Sequence, residues 1–244
     1  MAEIKEIIPF TYKWEGGLSK ATTDKASRNP SPYTYKGTTG WHTNKGVTYS
    51  TFKSLSPKLG YKDTADNFLN MPEDIWLKIA KNGYWDKLNL DAVKSQAVAN
   101  LLFSWQWGSG YAWIPRVSRY LKTKGIEWVG GSYVNKVLKL APDFNQIADK
   151  LNLLIDKQEE KKTFDELVEQ KKQFLLSLGQ PANEKGWLRR LEDLKNYSYT
   201  LLGKTTEVAK QGAKIVKKNF IPTMIITTAL LIGSYVLYKT IKKK

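Results

Sequence analysis

The sequence has no cysteine and a single histidine, His42. Without cysteine there is no disulfide framework, no thiol nucleophile and no thiolate metal ligand. One histidine cannot make a multi-histidine zinc site or a histidine relay, so zinc amidases, zinc peptidases and cysteine peptidases drop out. His42 itself reads as a solvated or hydrogen-bonded loop residue, and no cofactor is expected. If the chain is a hydrolase, carboxylates carry its acid–base chemistry. An export signal is also missing from the opening MAEIKEIIPF, which lacks a basic start, a long apolar run and a small-residue cleavage site. There are no internal repeats and no recognised nucleic-acid-binding motif.

Acidic residues are scarce, 23 against 39 lysines and arginines, for a net charge of +16 over 244 residues. The excess is uneven: residues 1–203 hold +8 and the last 41 residues another +8, with one acid among nine bases. Such a charge favours polyanionic surroundings, whether nucleic acid, anionic lipid or an acidic wall polymer. Bases in the body are interspersed with acids, so nucleic acid is not expected as a partner. With 41% hydrophobic and 12% aromatic residues, the chain can bury one sizeable core, or one core and a small second unit.

One long hydrophobic run is present. Residues 220–238, FIPTMIITTALLIGSYVLY, carry no charge over nineteen positions. As a helix they span roughly 28 Å, close to the hydrocarbon thickness of a bilayer. Lysines flank the run on both sides and tyrosines close it, as suits a headgroup interface, while the balanced flanks leave its orientation undecided. The reading is a C-terminal transmembrane helix (220–238), preceded by a basic amphipathic connector (203–219) and followed by a basic tail (239–244).

The body reads as mainly α. Ile4, Ile7 and Ile8 begin an apolar helical face with Pro9 at its first turn or a kink, and Gly16–Gly17 end it. A long polar, glycine- and threonine-rich stretch follows from Leu18 to about Tyr49, either a functional loop or one that contains a small hairpin in YTYKGTTGW. MPEDIWLKIAKNGYW places Pro72 and two acids at a helix start. DAVKSQAVANLLFSWQWGSG is apolar almost all round, with Asp91 as its expected cap, and so reads as the central helix. Further helices follow in YAWIPRVSRYL, from about Phe144 to Leu178, and in QPANEKGWLRRLEDL.

Glu15, in WEGGLS, is the residue most open to a chemical role. The terminal carbonyls of a helix and the neighbouring Trp14 both disfavour an ionised carboxylate, which suits a group that must donate a proton. Glycoside hydrolysis needs such an acid and commonly a second carboxylate, for which Asp24 is the nearest candidate. From the residues alone the ordinary reading, a surface acid before a C-cap glycine, is the commoner one.

Taken in order, WEGG, TGWHTNKGVTYSTF, WLKIAKNGYWDKL and AVANLLFSWQWGSGYAWIPRVSRYL resemble the signature blocks of glycoside hydrolase family 108, the lysozyme-like N-acetylmuramidases of phage and prophage lysis cassettes. KGWLRRLEDL resembles the Gly-Trp-x-x-Arg end of the peptidoglycan-binding region that follows. The resemblance implies a lysozyme-like helical domain over 1–125, a helical peptidoglycan-binding region over 126–202 packed on it, and an endolysin that acts on cell-wall glycan; with the C-terminal span, the expectation is a membrane-anchored monomer. It places the catalytic glutamate at Glu15 and a conserved-type block at Gly40, Thr43 and Gly46, with Thr43 positioning water. Family members usually follow EGG with a short Asn-Asp-Pro-x-Asp-x-Gly-Gly segment. Here the loop is longer, so the second role stays open between Asp24 and another group. Trp41, Tyr84, Trp85 and Trp107 are the candidate sugar-contacting aromatics, with core packing the commoner use of such rings. A wall-binding protein without turnover is the alternative reading.

Overall fold

The chain enters the structure, a computed structural model, through a helical turn that leads into α1 (Ile8–Trp14). The model describes residues 1–19, 33–35, 38–40, 43–128 and 145–202. Asp24, Trp41, His42, the connector and the 220–238 run lie outside the described residues. Among the described residues, no helix is long and apolar enough to cross a membrane.

Pro9 sits in the first turn of α1, where a missing N–H costs nothing, and Phe10 and Thr11 point into the core. The helix stops as Glu15 leaves helical geometry at φ −93°, ψ 85°, its N–H still bonded to the Thr11 carbonyl at 2.8 Å. Short strands follow: β1 (Leu18–Ser19), β2 (Tyr33–Tyr35), β3 (Thr38–Gly40), β4 (Thr43–Asn44) and β5 (Val47–Thr48). β2 and β3 pair antiparallel, the hairpin the sequence permits. β1, β4 and β5 form a second antiparallel sheet in which Ser19 lies opposite Thr43 and Thr43 opposite Thr48.

The β4–β5 connection is the two-residue turn Lys45–Gly46, with φ of 49° and 77°. Two positive φ values in succession are those of a type I′ hairpin turn, which matches the strand twist and favours glycine second. Lys45 is tied into this conformation. Its carbonyl accepts from Trp76 Nε1 at 2.7 Å and its ammonium donates to the Met71 carbonyl at 3.3 Å. Asn44, buried beside it, donates to the carbonyls of Phe68 and Leu69 at 2.7 and 3.1 Å.

Thr48 then caps α2 (Tyr49–Leu55) and Thr64 caps α3 (Ala65–Leu69). α4 (Glu73–Ala80) begins after Pro72 with its two acids at the positive end of the helix dipole, and widens into a π turn over Lys81–Trp85. α5 (Gln96–Ser109) is the central helix, with every residue from Gln96 to Trp107 buried. Its cap is Ser95, whose hydroxyl accepts from the Val98 N–H at 3.2 Å, and not Asp91. Asp91 sits one short helical turn earlier and takes the Trp85 indole N–H at 2.6 Å. A buried indole N–H usually finds an acceptor, and Asp91 supplies it for Trp85.

α6 (Ile114–Thr123), α7 (Asn145–Lys157), α8 (Glu160–Leu176) and α9 (Pro181–Tyr199) complete the body, in which Met1–Leu202 form one compact unit. α8 and α9 pack antiparallel against each other and both lie on α5. Each large side chain so buried, among them Trp105, Trp113, Phe103 and Phe164, contributes about 1.5–3 kcal/mol of transfer free energy. α9 also returns to the start of the chain, where the Tyr197 hydroxyl donates to the Glu6 carbonyl in the turn before α1 and Lys13 on α1 meets Asp193 at 3.3 Å.

Candidate active site

The end of α1, the β4–β5 turn, the last turns of α5, and the α8–α9 pair converge on a cavity of about 310 Å³. Glu15, Thr43, Gly46, Ser104 and Trp107 line it from one side, and Lys171, Trp187 and Arg190 from the other. Glu15 is placed there because α1 ends at it, which turns the side chain out of the helix while leaving it only 13% exposed. Arg190, on α9, donates through Nη2 to Glu15 Oε1. This ion pair joins residues 175 positions apart in sequence.

The other carboxylate oxygen faces the turn. A β-carbon placed on Gly46 would lie 2.5 Å from Glu15 Oε2, 2.6 Å from Trp107 Nε1 and 2.7 Å from the Glu15 carboxyl carbon. No side chain fits between the turn and the acid. Gly46 is therefore required twice, for its positive φ and for this close approach.

Two polar atoms of the wall are buried without a partner among the described residues, Thr43 Oγ1 and Trp107 Nε1. Buried polar atoms are almost always satisfied, so both are placed to meet a water or a ligand hydroxyl. Trp107 is 8% exposed and rests on Tyr84 and Phe103, with ring centroids 4.6 and 5.7 Å away. Behind them Trp76 is stacked on Tyr12 at 4.4 Å. An aromatic layer thus backs the acid.

Lys171 is the least expected member. It is buried on α8, donates to Ser104 Oγ at 3.0 Å, and has no carboxylate partner among the described residues. Burial, reinforced by the charge of Arg190, holds its ammonium well below the usual lysine pKa. Tyr84 is shifted the other way. Burial raises its phenol, a hydrogen bond with Thr51 opposes this, and the charges of Tyr111 and Glu15 add to the rise.

Of the residues expected from the sequence, the fold brings Glu15, Thr43 and Trp107 into one cavity. Tyr84 lies one layer behind Trp107 and is not part of the lining. Trp85 is no sugar contact at all: it is fully buried, bonded to Asp91 and packed on Phe103, because the π turn directs it inward. Asp24 and Trp41 lie outside the described residues. Lys171 and Arg190 escaped the sequence reading, although Arg190 closes the Gly-Trp-x-x-Arg block. Among the described residues, no cluster of three histidines or carboxylates is placed to hold a metal ion.

Residues 8–110 match the family model described as glycosyl hydrolase 108. The solved structure of SagA from Brucella abortus is similar to this chain, with a TM-score of 0.54 and 20% identity, covering 81% of this chain and 94% of that one. At that identity the likeness is one of fold. No curated protein compared with the chain matches it.

Proposed function

We propose that the chain, whose residues 8–110 match the glycosyl hydrolase 108 model, is a glycoside hydrolase of the N-acetylmuramidase type that cuts the glycan strand of peptidoglycan, with Glu15 as general acid. The observation that carries this reading is the shared cavity of Glu15, Thr43 and Trp107, in which a largely buried carboxylate sits beside a hydroxyl and an indole N–H that have no partner among the described residues. Glu15 gives its proton to the bridging oxygen as the bond from that oxygen to the anomeric carbon breaks. A water oxygen then bonds to the anomeric carbon and loses a proton to a base. Thr43 is placed to hold that water. A second carboxylate would steady the positive charge that grows on the ring, and Asp24 is our candidate for it.

Residues 126–202 serve in this reading as the wall-binding region. Its support is that Trp187 and Arg190 reach the same cavity as the acid. The 220–238 run anchors the chain in a membrane, and the setting is lysis or wall penetration in a phage or prophage. A chain ending at residue 202 is then expected to be soluble, monomeric and folded, while the full chain partitions with membranes. Full-length protein that stays soluble without detergent would remove the anchor.

The central test compares wild type with Glu15→Gln on purified peptidoglycan. The glutamine keeps shape and one hydrogen bond but has no transferable proton, so turnover should fall by roughly 10²–10⁴ with an unchanged circular dichroism spectrum. N-acetylmuramic acid at the new reducing ends, identified by mass spectrometry, supports a muramidase. N-acetylglucosamine there means a glucosaminidase. Undiminished hydrolysis by the variant takes Glu15 out of the mechanism, and binding without hydrolysis by the wild type supports the non-hydrolytic reading.

A further inference from the structure

The cavity holds more positive than negative groups. Among its described lining residues, Lys171 and Arg190 are the basic ones and Glu15 the only acid. Arg190 is already engaged by Glu15 Oε1, and Lys171 has only the neutral Ser104 hydroxyl. A lysine ammonium offers three donors, so burying it against one hydroxyl leaves bonding capacity aimed into the pocket. Burial works against the charge of Lys171, and the one carboxylate among the described lining residues, Glu15, is engaged by Arg190. The unused donors of Lys171 suit a ligand that brings its own anion.

A fixed guanidinium fork beside an ammonium matches a carboxylate in both geometry and charge. The glycan of peptidoglycan carries such groups. Each muramyl ring bears a lactyl ether whose carboxyl is either free or joined to a peptide stem, and the stem carries carboxylates of its own. We propose that Lys171 and Arg190 form an anion subsite that takes a substrate carboxylate, and that this carboxylate competes with Glu15 for Arg190 and so releases the acid for chemistry. The proposal rests on the reading of Glu15 as the acid of a peptidoglycan hydrolase. Arg190 acts as a positioning residue in the empty enzyme and as a specificity contact in the loaded one. Occupancy of the subsite and release of the acid are then one event, so a neutral glycan that enters the pocket leaves Glu15 held.

Equilibrium binding separates this proposal from the hydrolase reading, because it needs no turnover. The full chain in detergent is titrated, with Trp107 and Trp187 fluorescence as the signal, using three ligands. These are the disaccharide of N-acetylglucosamine and N-acetylmuramic acid with its free lactyl carboxylate, the same sugar as its primary amide, and the same sugar with a stem dipeptide bearing a terminal carboxylate. Wild type should bind at least one charged ligand about tenfold or more tighter than the amide, as expected for a charge-assisted pair. Preference for the first ligand identifies the lactyl group as the source, and preference for the third identifies the stem.

Arg190→Gln and Lys171→Met should each reduce that ratio towards one, and Arg190→Lys should keep part of it. Glu15→Gln should bind the charged ligand severalfold tighter than wild type and the amide equally well, since a neutral side chain no longer competes for Arg190. A merely structural ion pair predicts no such gain. Equal binding of acid and amide by wild type, or a charge preference that survives Arg190→Gln, overturns the proposal even if the enzyme is a muramidase. Absent hydrolysis with this binding pattern intact overturns the hydrolase reading and leaves the subsite standing.

Discussion

Gly46 shows how a single position can be constrained from two directions. Alanine there would need φ near 77° and would push its methyl into the Glu15 carboxyl and the Trp107 ring edge. Gly46→Ala is expected to cost about 1–3 kcal/mol of stability and to lower activity further than the stability loss explains, as read by thermal unfolding beside turnover. Thr43→Val, nearly the same shape without the hydroxyl, should leave unfolding almost unchanged and lower kcat roughly ten- to a hundredfold through a misplaced water. Thr43→Ser should restore most of it. Lys171 makes the opposite case. Its folded pKa lies well below 10.5, so between that depressed value and 10.5 the unfolded chain binds the proton that the folded one does not, and stability rises with pH through the window. Lys171→Met should therefore stabilise the fold at pH 7 by about 1–3 kcal/mol, with the gain shrinking as pH nears 10.5. Gly46 and Thr43 came into view through the resemblance of a short contiguous block. The sequence could not show Lys171, which stands next to the exposed Lys172 in QKKQ. Adjacent helix positions differ by about 100° of rotation, and only the placement of α8 on α5 decides which lysine faces inward.

Periodicity placed the helices better than their ends. α5 was legible as central because it is apolar all round, but its cap is Ser95 and not Asp91, which bonds the Trp85 indole instead, a contact invisible to local capping rules. The π turn at Lys81–Trp85 was equally hidden, and with it the inward turn of Trp85. Ser95→Ala should cost about 1 kcal/mol as the true cap, whereas Asp91→Ala should act by orphaning an indole and not by fraying α5. Hydrogen exchange at Val98 distinguishes the two. The α6–α8 contact is fastened by Glu166, which accepts from the Tyr120 hydroxyl at 2.6 Å, from Gln158 at 2.8 Å and from Lys124 at 2.9 Å. Burial pushes this carboxyl up, but the hydrogen bonds from Tyr120, Gln158 and Lys124 and the Lys124 charge outweigh it and bring its pKa down to about 2. Because the folded value lies below the unfolded one, the stabilisation is fully present above pH 4.5 and fades as pH falls towards 2. Glu166→Gln should lose about 1 kcal/mol at pH 7, allowing for solvent screening of a part-exposed network. The difference from wild type should close near pH 2 in chemical denaturation.

Over the whole molecule, the family match ends at residue 110 but the cavity does not. Five of its fourteen lining residues come from α8 and α9, which also pack on α5. A chain ending at residue 128 should therefore fail to unfold cooperatively and should bind a hydrophobic dye, while one ending at residue 202 should do neither. Blocks of sequence suggested two successive regions, but residues 1–202 fold as one compact unit. That one pocket draws on both stretches was not readable, since contacts between distant segments leave no local pattern. The ion pair of Glu15 with Arg190 gives this arrangement a temporal side. The two ends of the body are also tied through Tyr197 to Glu6 and Lys13 to Asp193, so the contacts that complete the site are among those of longest sequence separation. Loop-closure entropy makes such contacts late ones in folding. The cavity is then incomplete for most of synthesis, because Glu15 emerges early and Lys171, Trp187 and Arg190 emerge late. In refolding experiments, recovery of carboxylate-dependent ligand binding should trail the recovery of helical signal.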